Sequence, residues 1–163
     1  MQKHIHFCVI WLSASALFLI LALPAPAIVW CHDYSLWQVT GEDANNTSPA
    51  DLRARLEQLQ YKRFPFTNAA RSPLAQEKLK PGDVIIIGDA HSGVVNGNGL
   101  IDHFVQKFGA SGTRYPPEEV QKMDNLYRDW TLLDILNFKR IGPEGNEIFP
   151  YREAEVEVWR QVP

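Results

Sequence analysis

Cysteine is scarce in this chain, with two among 163 residues, Cys8 and Cys31. Cys8 lies in a leading apolar stretch expected to be removed, so the exported protein keeps one thiol and no internal disulfide. Its core must then hold without a covalent staple. Runs of like charge are also missing. Lys and Arg number 16 against 19 Asp and Glu, and no basic stripe appears. Nucleic acid is therefore not a natural partner. There is no internal repeat and no low-complexity segment, which removes repeat architectures.

Only one long hydrophobic run is present, Phe7 to Leu23. Lys3 precedes it, and Ala25-Pro26-Ala27 supplies small residues where a signal peptidase reads. The pattern predicts a signal peptide over 1–27, cut after Ala27, and a secreted or periplasmic protein. The run is near the lower limit for spanning a bilayer, so membrane contact is expected only through an uncleaved leader. The remaining 28–163 make one domain of 136 residues with net charge −4, because the leader carries one lysine and no acid. That length supports one hydrophobic core.

The pattern of elements reads as α+β, N-terminal helices packed on a mostly antiparallel sheet. Residues Ile28 to Thr40 suggest a first helix, with Gly41 as its cap. Ser48-Pro49-Ala50-Asp51 opens a second: serine caps, proline takes the first turn, and Asp51 suits the positive helix end. Leu52, Leu56 and Leu59 give it one apolar face, and Phe64-Pro65-Phe66 is expected to end it. Residues 67–80 read as irregular with one helical turn. Pro81-Gly82-Asp83 turns into Val84–Ile87, a β-branched run expected to be buried on both faces. Gly88-Asp89-Ala90 is a turn, and 91–95 and 100–105 form a hairpin around Asn96-Gly97-Asn98-Gly99. A loop over 109–117, a short helix over 117–126, a strand near 137–141 and a turn over 142–146 follow. Glu and Val alternate over 154–159, predicting a strand whose Glu155 and Glu157 face water. Trp37, Trp130 and Trp159 read as core or rim residues.

Cys31 precedes His91 by sixty residues and His103 by seventy-two. A thiol becomes a useful nucleophile as thiolate, which a helix N-terminus and an imidazole both favour. Cys31 lies near the start of the first predicted helix and is expected to have a depressed pKa. It needs a base, and the base needs an orienter. His91 is the candidate base. The set His32, Asp33, Asp89, His91, Asp102 and His103 contains no recognised ligand spacing, so no metal and no cofactor is expected. Asp83 and Asp89 read as turn residues.

Residues 79–103 run Leu-Lys-Pro-Gly-Asp-Val-Ile-Ile-Ile and then His-Ser-Gly-Val-Val-Asn-Gly-Asn-Gly-Leu-Ile-Asp-His. This segment resembles the central signature of NlpC-type cysteine peptidases, papain-like enzymes that are mostly cell-wall endopeptidases. The resemblance implies a papain-like fold, with Cys31 as nucleophile, His91 as base and His103 as its orienter. It also implies hydrolysis of an amide bond in a peptide or peptidoglycan-stem substrate. The family usually carries Asp-Cys-Ser-Gly at the nucleophile, whereas this chain has Trp30-Cys31-His32-Asp33. Lecithin:retinol acyltransferase-like proteins share the Pro-Gly-Asp strand but place cysteine after the histidine. No cysteine follows His91, which excludes that order. The rival reading is a non-catalytic secreted module of the same fold that binds a peptide or protein partner.

Hairpin register decides the orienter. With a two-residue loop, Gly93 faces Asp102, and Asp102 becomes the alternative partner of His91. With the three-residue loop Gly97-Asn98-Gly99, Gly93 faces His103 instead. Gly99 suits the left-handed position such loops use, and the resemblance places a histidine opposite, so the three-residue register is expected. Gly93 would then leave room between the two imidazoles.

Overall fold

The computed structural model describes residues 30–42, 44, 46–64, 66, 73–105, 126–141 and 144–163. The expected leader over 1–27, the loop over 109–117 and most of the helix expected over 117–126 lie outside them. So do the first two residues of the turn expected over 142–146.

Helix α1 spans Cys31–Thr40 and α2 spans Pro49–Gln58. The Asp33 carboxylate accepts the Trp30 backbone N–H at 3.1 Å and the Thr47 backbone N–H at 2.7 Å. It satisfies one free donor at the helix start and ties the next loop to it. Gly41 ends α1 at φ 70°, and its N–H donates to the Trp37 carbonyl at 2.8 Å. Ser48 and Asp51 cap α2 reciprocally, each side chain accepting the other's backbone N–H.

The second helix ends at Gln58, earlier than its sequence suggests. Gln60 takes a left-handed φ of 63°, and Tyr61–Phe64 becomes strand β1. The overriding force is long-range: β1 pairs with β8, Val156–Gln161, in the register Tyr61↔Gln161. Between them come α3 (Pro73–Gln76), β2 (Val84–Ile87), β3 (His91–Val95), β4 (Ile101–Phe104) and β5 (Leu126–Trp130). Then follow α4 (Leu132–Leu136), β6 (Arg140–Ile141) and β7 (Glu147–Ile148). Leu126 therefore begins a strand rather than closing a helix. Thr131 and Asp134 form a reciprocal cap that starts α4 where the sequence reading was ambiguous.

The main sheet has the order β1-β8-β2-β3-β4-β5, and every neighbouring pair is antiparallel. The chain is thus a mixed α/β protein with N-terminal helices on an antiparallel sheet. Side chains alternate between two covered faces. Val84, Ile86, Val94 and Trp159 meet Leu52 and Leu56 of α2 on one face. Ile85, Ile87, Val95, Ile101 and Val158 meet Leu132, Ile135, Leu136 and Tyr151 on the other. Two-sided cover accounts for the uninterrupted apolar run of β2.

The alternating pattern of β8 has a different meaning from the one expected. Glu157 is buried on the helix-covered face, where Arg53 of α2 donates to its carboxylate at 2.8 Å and Trp159 Nε1 donates at 2.9 Å. Glu155 stays exposed, as the alternation predicts. Asp83 is more than a turn residue: it is buried, and Arg160 donates to both its oxygens at 2.7 Å. Asp89 remains in an exposed turn and pairs with Arg53 at 3.0 Å. Among the described residues no helix is long and apolar enough to cross a membrane.

Candidate active site

The β3–β4 hairpin adopts the three-residue register. Val95 pairs with Ile101 and Val94 with Asp102. Gly99 carries φ 77°, and the Asn96 side chain accepts the Asn98 and Leu100 backbone N–H groups. Asn96 N–H closes the loop on the Leu100 carbonyl at 2.7 Å. Gln76 then clamps the tip, donating to the Gly99 carbonyl at 2.6 Å and accepting the Leu132 N–H at 2.7 Å.

This register puts His91 and His103 on one face. His91 Nε2 and His103 Nδ1 stand 2.8 Å apart with the rings perpendicular. Gly93 lies on β3 two residues after His91, close enough to β4 that an added Cβ would meet the His103 Cβ at 3.0 Å. Asp102 turns elsewhere. Its carboxylate accepts from Asn96 Nδ2 at 2.9 Å and from the Asp129 N–H at 3.1 Å. The β4–β5 register slips just there, between Ile101 and His103, with Asp129 at φ 56°.

Both imidazoles are buried in aromatic surroundings. Tyr151 stacks on His91 at 4.8 Å, while Tyr127 stacks on His103 at 5.3 Å and Trp130 meets it edge-on at 5.1 Å. Trp130 is thus a wall of the site as well as a core residue. Burial pushes His91 well below its ordinary pKa, and His103, His32 and Arg140 add to the shift. Burial alone pushes His103 down to about 4. His103 Nε2 is buried and has no hydrogen-bond partner among the described residues.

Cys31 is the first residue of α1, and its thiol contacts the segment that holds His91. Sγ lies 3.8 Å from the Ala90 carbonyl oxygen, the acceptor for its S–H. The expected depressed pKa is not found. Burial pushes the thiol up to about 11, against the opposing pull of hydrogen bonds from the Ser92 backbone, the His32 backbone and the Ser92 side chain. The helix start does not outweigh the lost hydration. At rest the thiol is therefore neutral, as are the imidazoles of His91 and His103.

Sequence reasoning missed Ser92, Ser35 and Tyr151, and weighed His32 only as a metal ligand. Ser92 and His32 point to the α1 side of the sheet, with His32 Nδ1 2.9 Å from Ser92 Oγ and Ser35 Oγ 2.8 Å from Ser92 Oγ. Strand alternation beside His91, and adjacency to Cys31, were the available signals. Tyr151 gave no local signal, because its contact with His91 is made by the long-range fold. Arg140 Nη2 donates to the Tyr151 hydroxyl at 3.3 Å. The six-residue set weighed for a metal is not gathered into one site. Asp33 caps α1, Asp89 pairs with Arg53 and Asp102 accepts the Asp129 N–H where the β4–β5 register slips. Among the described residues no group of three or more His, Cys, Asp or Glu could hold a metal ion. No family model, no curated protein and no solved structure matches this chain.

Proposed function

We propose that this chain is a secreted or periplasmic cysteine hydrolase of the papain-like, NlpC type, cleaving an amide bond in peptides such as peptidoglycan stems. The reading rests on the signature over 79–103 and, above all, on the 2.8 Å contact between His91 Nε2 and His103 Nδ1. In this reading 1–27 is the leader, and N-terminal sequencing of exported protein begins at Ile28. The domain over 28–163 needs no cofactor for the chemistry.

The contact fits either tautomer pair, and the reading assigns the shared hydrogen to His91 Nε2, which leaves Nδ1 of His91 as the basic nitrogen. Cys31 Sγ attacks the scissile carbonyl carbon as His91 Nδ1 takes the thiol proton. The C–N bond then breaks, and the same proton leaves on the amine. Water hydrolyses the thioester and restores the thiol. Because thiol and imidazole both start neutral, proton transfer accompanies attack rather than preceding it. His103 is the positioning residue that fixes the ring and its tautomer. A neutral base of this kind stays competent down to pH values below the ordinary histidine range.

The test is release of free amine from synthetic stem tetrapeptides, followed by mass spectrometry. Native protein releases it, and folded Cys31→Ala does not. Full turnover by Cys31→Ala overturns the reading. One observation favours the rival module that binds a peptide or partner without cutting it: the thiol is held neutral, donating toward the Ala90 carbonyl. That rival predicts calorimetric binding of the tetrapeptide, equal in both proteins, with no amine released.

A further inference from the structure

One hydrogen bond does not fix the plane of an imidazole. His91 meets His103 at Nε2, across 2.8 Å, with the two rings perpendicular. The contact holds one atom. Histidine χ2 is a soft, roughly two-fold torsion. Turning the ring about its Cβ–Cγ bond displaces Nδ1 further than Nε2, because Nε2 lies nearer the axis of that bond. Nδ1 is the atom assigned to take the thiol proton, so its direction needs a second restraint.

Tyr151 covers a face of the ring where His103 meets an edge. Its ring centre lies 4.8 Å from that of His91, with 21° between the planes. That is the offset stack aromatic pairs favour. Tyr151 is buried in the core that also holds Ile87 and Ile135. Its own place is fixed in several ways. Phe138 stacks on it at 6.2 Å, again at 21°. Arg140 of β6 donates to its hydroxyl at 3.3 Å, and the guanidinium carbon stands 5.5 Å from the Phe138 ring centre and 6.0 Å from that of Tyr151. The Tyr151 carbonyl accepts the Ala154 N–H at 3.2 Å, and the Glu155 carbonyl accepts the Gly88 N–H at 2.8 Å. The second bond ties the segment carrying Tyr151 to the turn that leads into His91. Burial pushes the phenol up to about 12, so the ring against His91 is uncharged at neutral pH.

We propose that Tyr151 is a second positioning residue, which sets the plane of the His91 ring and with it the direction of Nδ1, while Phe138 and Arg140 brace it. The inference rests on His91 being the general base. His103 reaches the ring from β4 and Tyr151 from the turn after β7, so the two restraints come from separate parts of the chain. The hydroxyl is secondary. At 3.3 Å its bond from Arg140 is long, whereas the stack needs only the ring.

The experiment measures the order of the His91 ring by carbon-13 relaxation in the full chain labelled at histidine, with His91→Gln assigning the signal. Rigid groups give an order parameter of about 0.85 and flexible ones less than about 0.6. Native protein and Tyr151→Phe, which keeps the stack, should both give the rigid value. Tyr151→Leu should fall to the flexible range. Arg140→Met, which removes the brace and keeps the ring, should fall in the same direction. Amine release from the tetrapeptide is the kinetic companion. Misplacing a reacting group by about 1 Å costs about a hundredfold, so Tyr151→Leu is expected to lower kcat by about ten- to a hundredfold with KM within about twofold of native. A residue that only fills the core would lower the urea midpoint and leave the ring rigid. A rigid His91 ring in folded Tyr151→Leu overturns the proposal, and Arg140→Met decides by the same measure if Tyr151→Leu does not fold. A loosened ring in the variants, with no amine release from native protein, sinks the hydrolase reading and leaves the ring restraint standing. Amine release from native protein, with a rigid ring in the variants, does the reverse.

Discussion

Replacing Gly93 by alanine tests whether the hairpin is built around the two histidines. An alanine Cβ there would stand 2.7 Å from Ile101 Cγ2, 2.9 Å from the Asp102 carbonyl oxygen and 3.0 Å from His103 Cβ. Ordinary van der Waals contact needs about 3.5–4.0 Å. The carbonyl oxygen is backbone and cannot rotate away. Ile101 is fully buried and β-branched, so moving its methyl costs about 1 kcal/mol in rotamer strain. Spreading β3 from β4 adds the usual overpacking cost, about 1–3 kcal/mol in all. The stiffer unfolded chain returns about 0.4–1 kcal/mol. The net expectation is a loss of about 1.3 kcal/mol, or a fall of about 4 °C in Tm. Gly97→Ala is the control, because a Cβ there meets nothing within 4 Å. It should stay within about 0.5 kcal/mol of native. Urea unfolding with a common m-value gives both numbers. If Gly93→Ala also lies within 0.5 kcal/mol of native, the close packing of the hairpin around His91 and His103 is refuted.

In the same hairpin, His103→Ala is expected to lower amine release about a hundredfold, since the ring and tautomer of His91 lose their guide. Asp102→Ala should cost less than threefold, and an equal loss from both variants would reject the orienter assignment. Arg160→Met strands the buried Asp83 carboxylate and should destabilise the fold by about 3–5 kcal/mol, visible as a lower urea midpoint. Acid should weaken the native protein before its carboxylates titrate. His103 binds a proton near pH 6.5 when unfolded but only near 4 when folded, so stability falls as pH drops through that window, by up to about 3 kcal/mol. Urea midpoints at pH 7 and pH 4.5 should differ in native protein and lie closer together in His103→Gln, where His91 keeps its own share of the difference; no narrowing would reject that account.

Short-range chemistry made part of this molecule readable. Ser48 with Asp51, Gly41 and Gly99 declare their caps and turn by residue type, and the loop length then follows. From the loop follows the pairing of His91 with His103, because side-chain alternation leaves no freedom once register is set. Strand β1 was hidden, since Tyr61–Phe64 is extended only through a partner far along the chain. Glu157 was misread for the same reason: alternation marks two faces but does not say which is wet. Helix α2 covers the face that alternation alone had assigned to solvent, and Arg53 neutralises what arrives there. The raised Cys31 pKa was equally invisible, because it depends on how much water the packed α1 and β3 exclude from the sulfur. The Thr131 and Asp134 cap, by contrast, was present in the sequence, and its spacing was a usable sign of α4.

Strand β8 sits between β1 and β2, and this position governs the order in which the molecule can assemble. Tyr61 must find Gln161, and Val84 must find Trp159, before either neighbouring strand has its full ladder. Until then β2 offers an open edge of four apolar residues, Val84 to Ile87, which invites pairing with other chains. The local hairpin β3–β4 can form early, but closing the sheet requires the search for a distant partner, which is slow. A growing chain released before residue 156 would hold His91 and His103 and lack the strand that joins β1 to the rest. Such a chain is a substrate for holding chaperones and proteases.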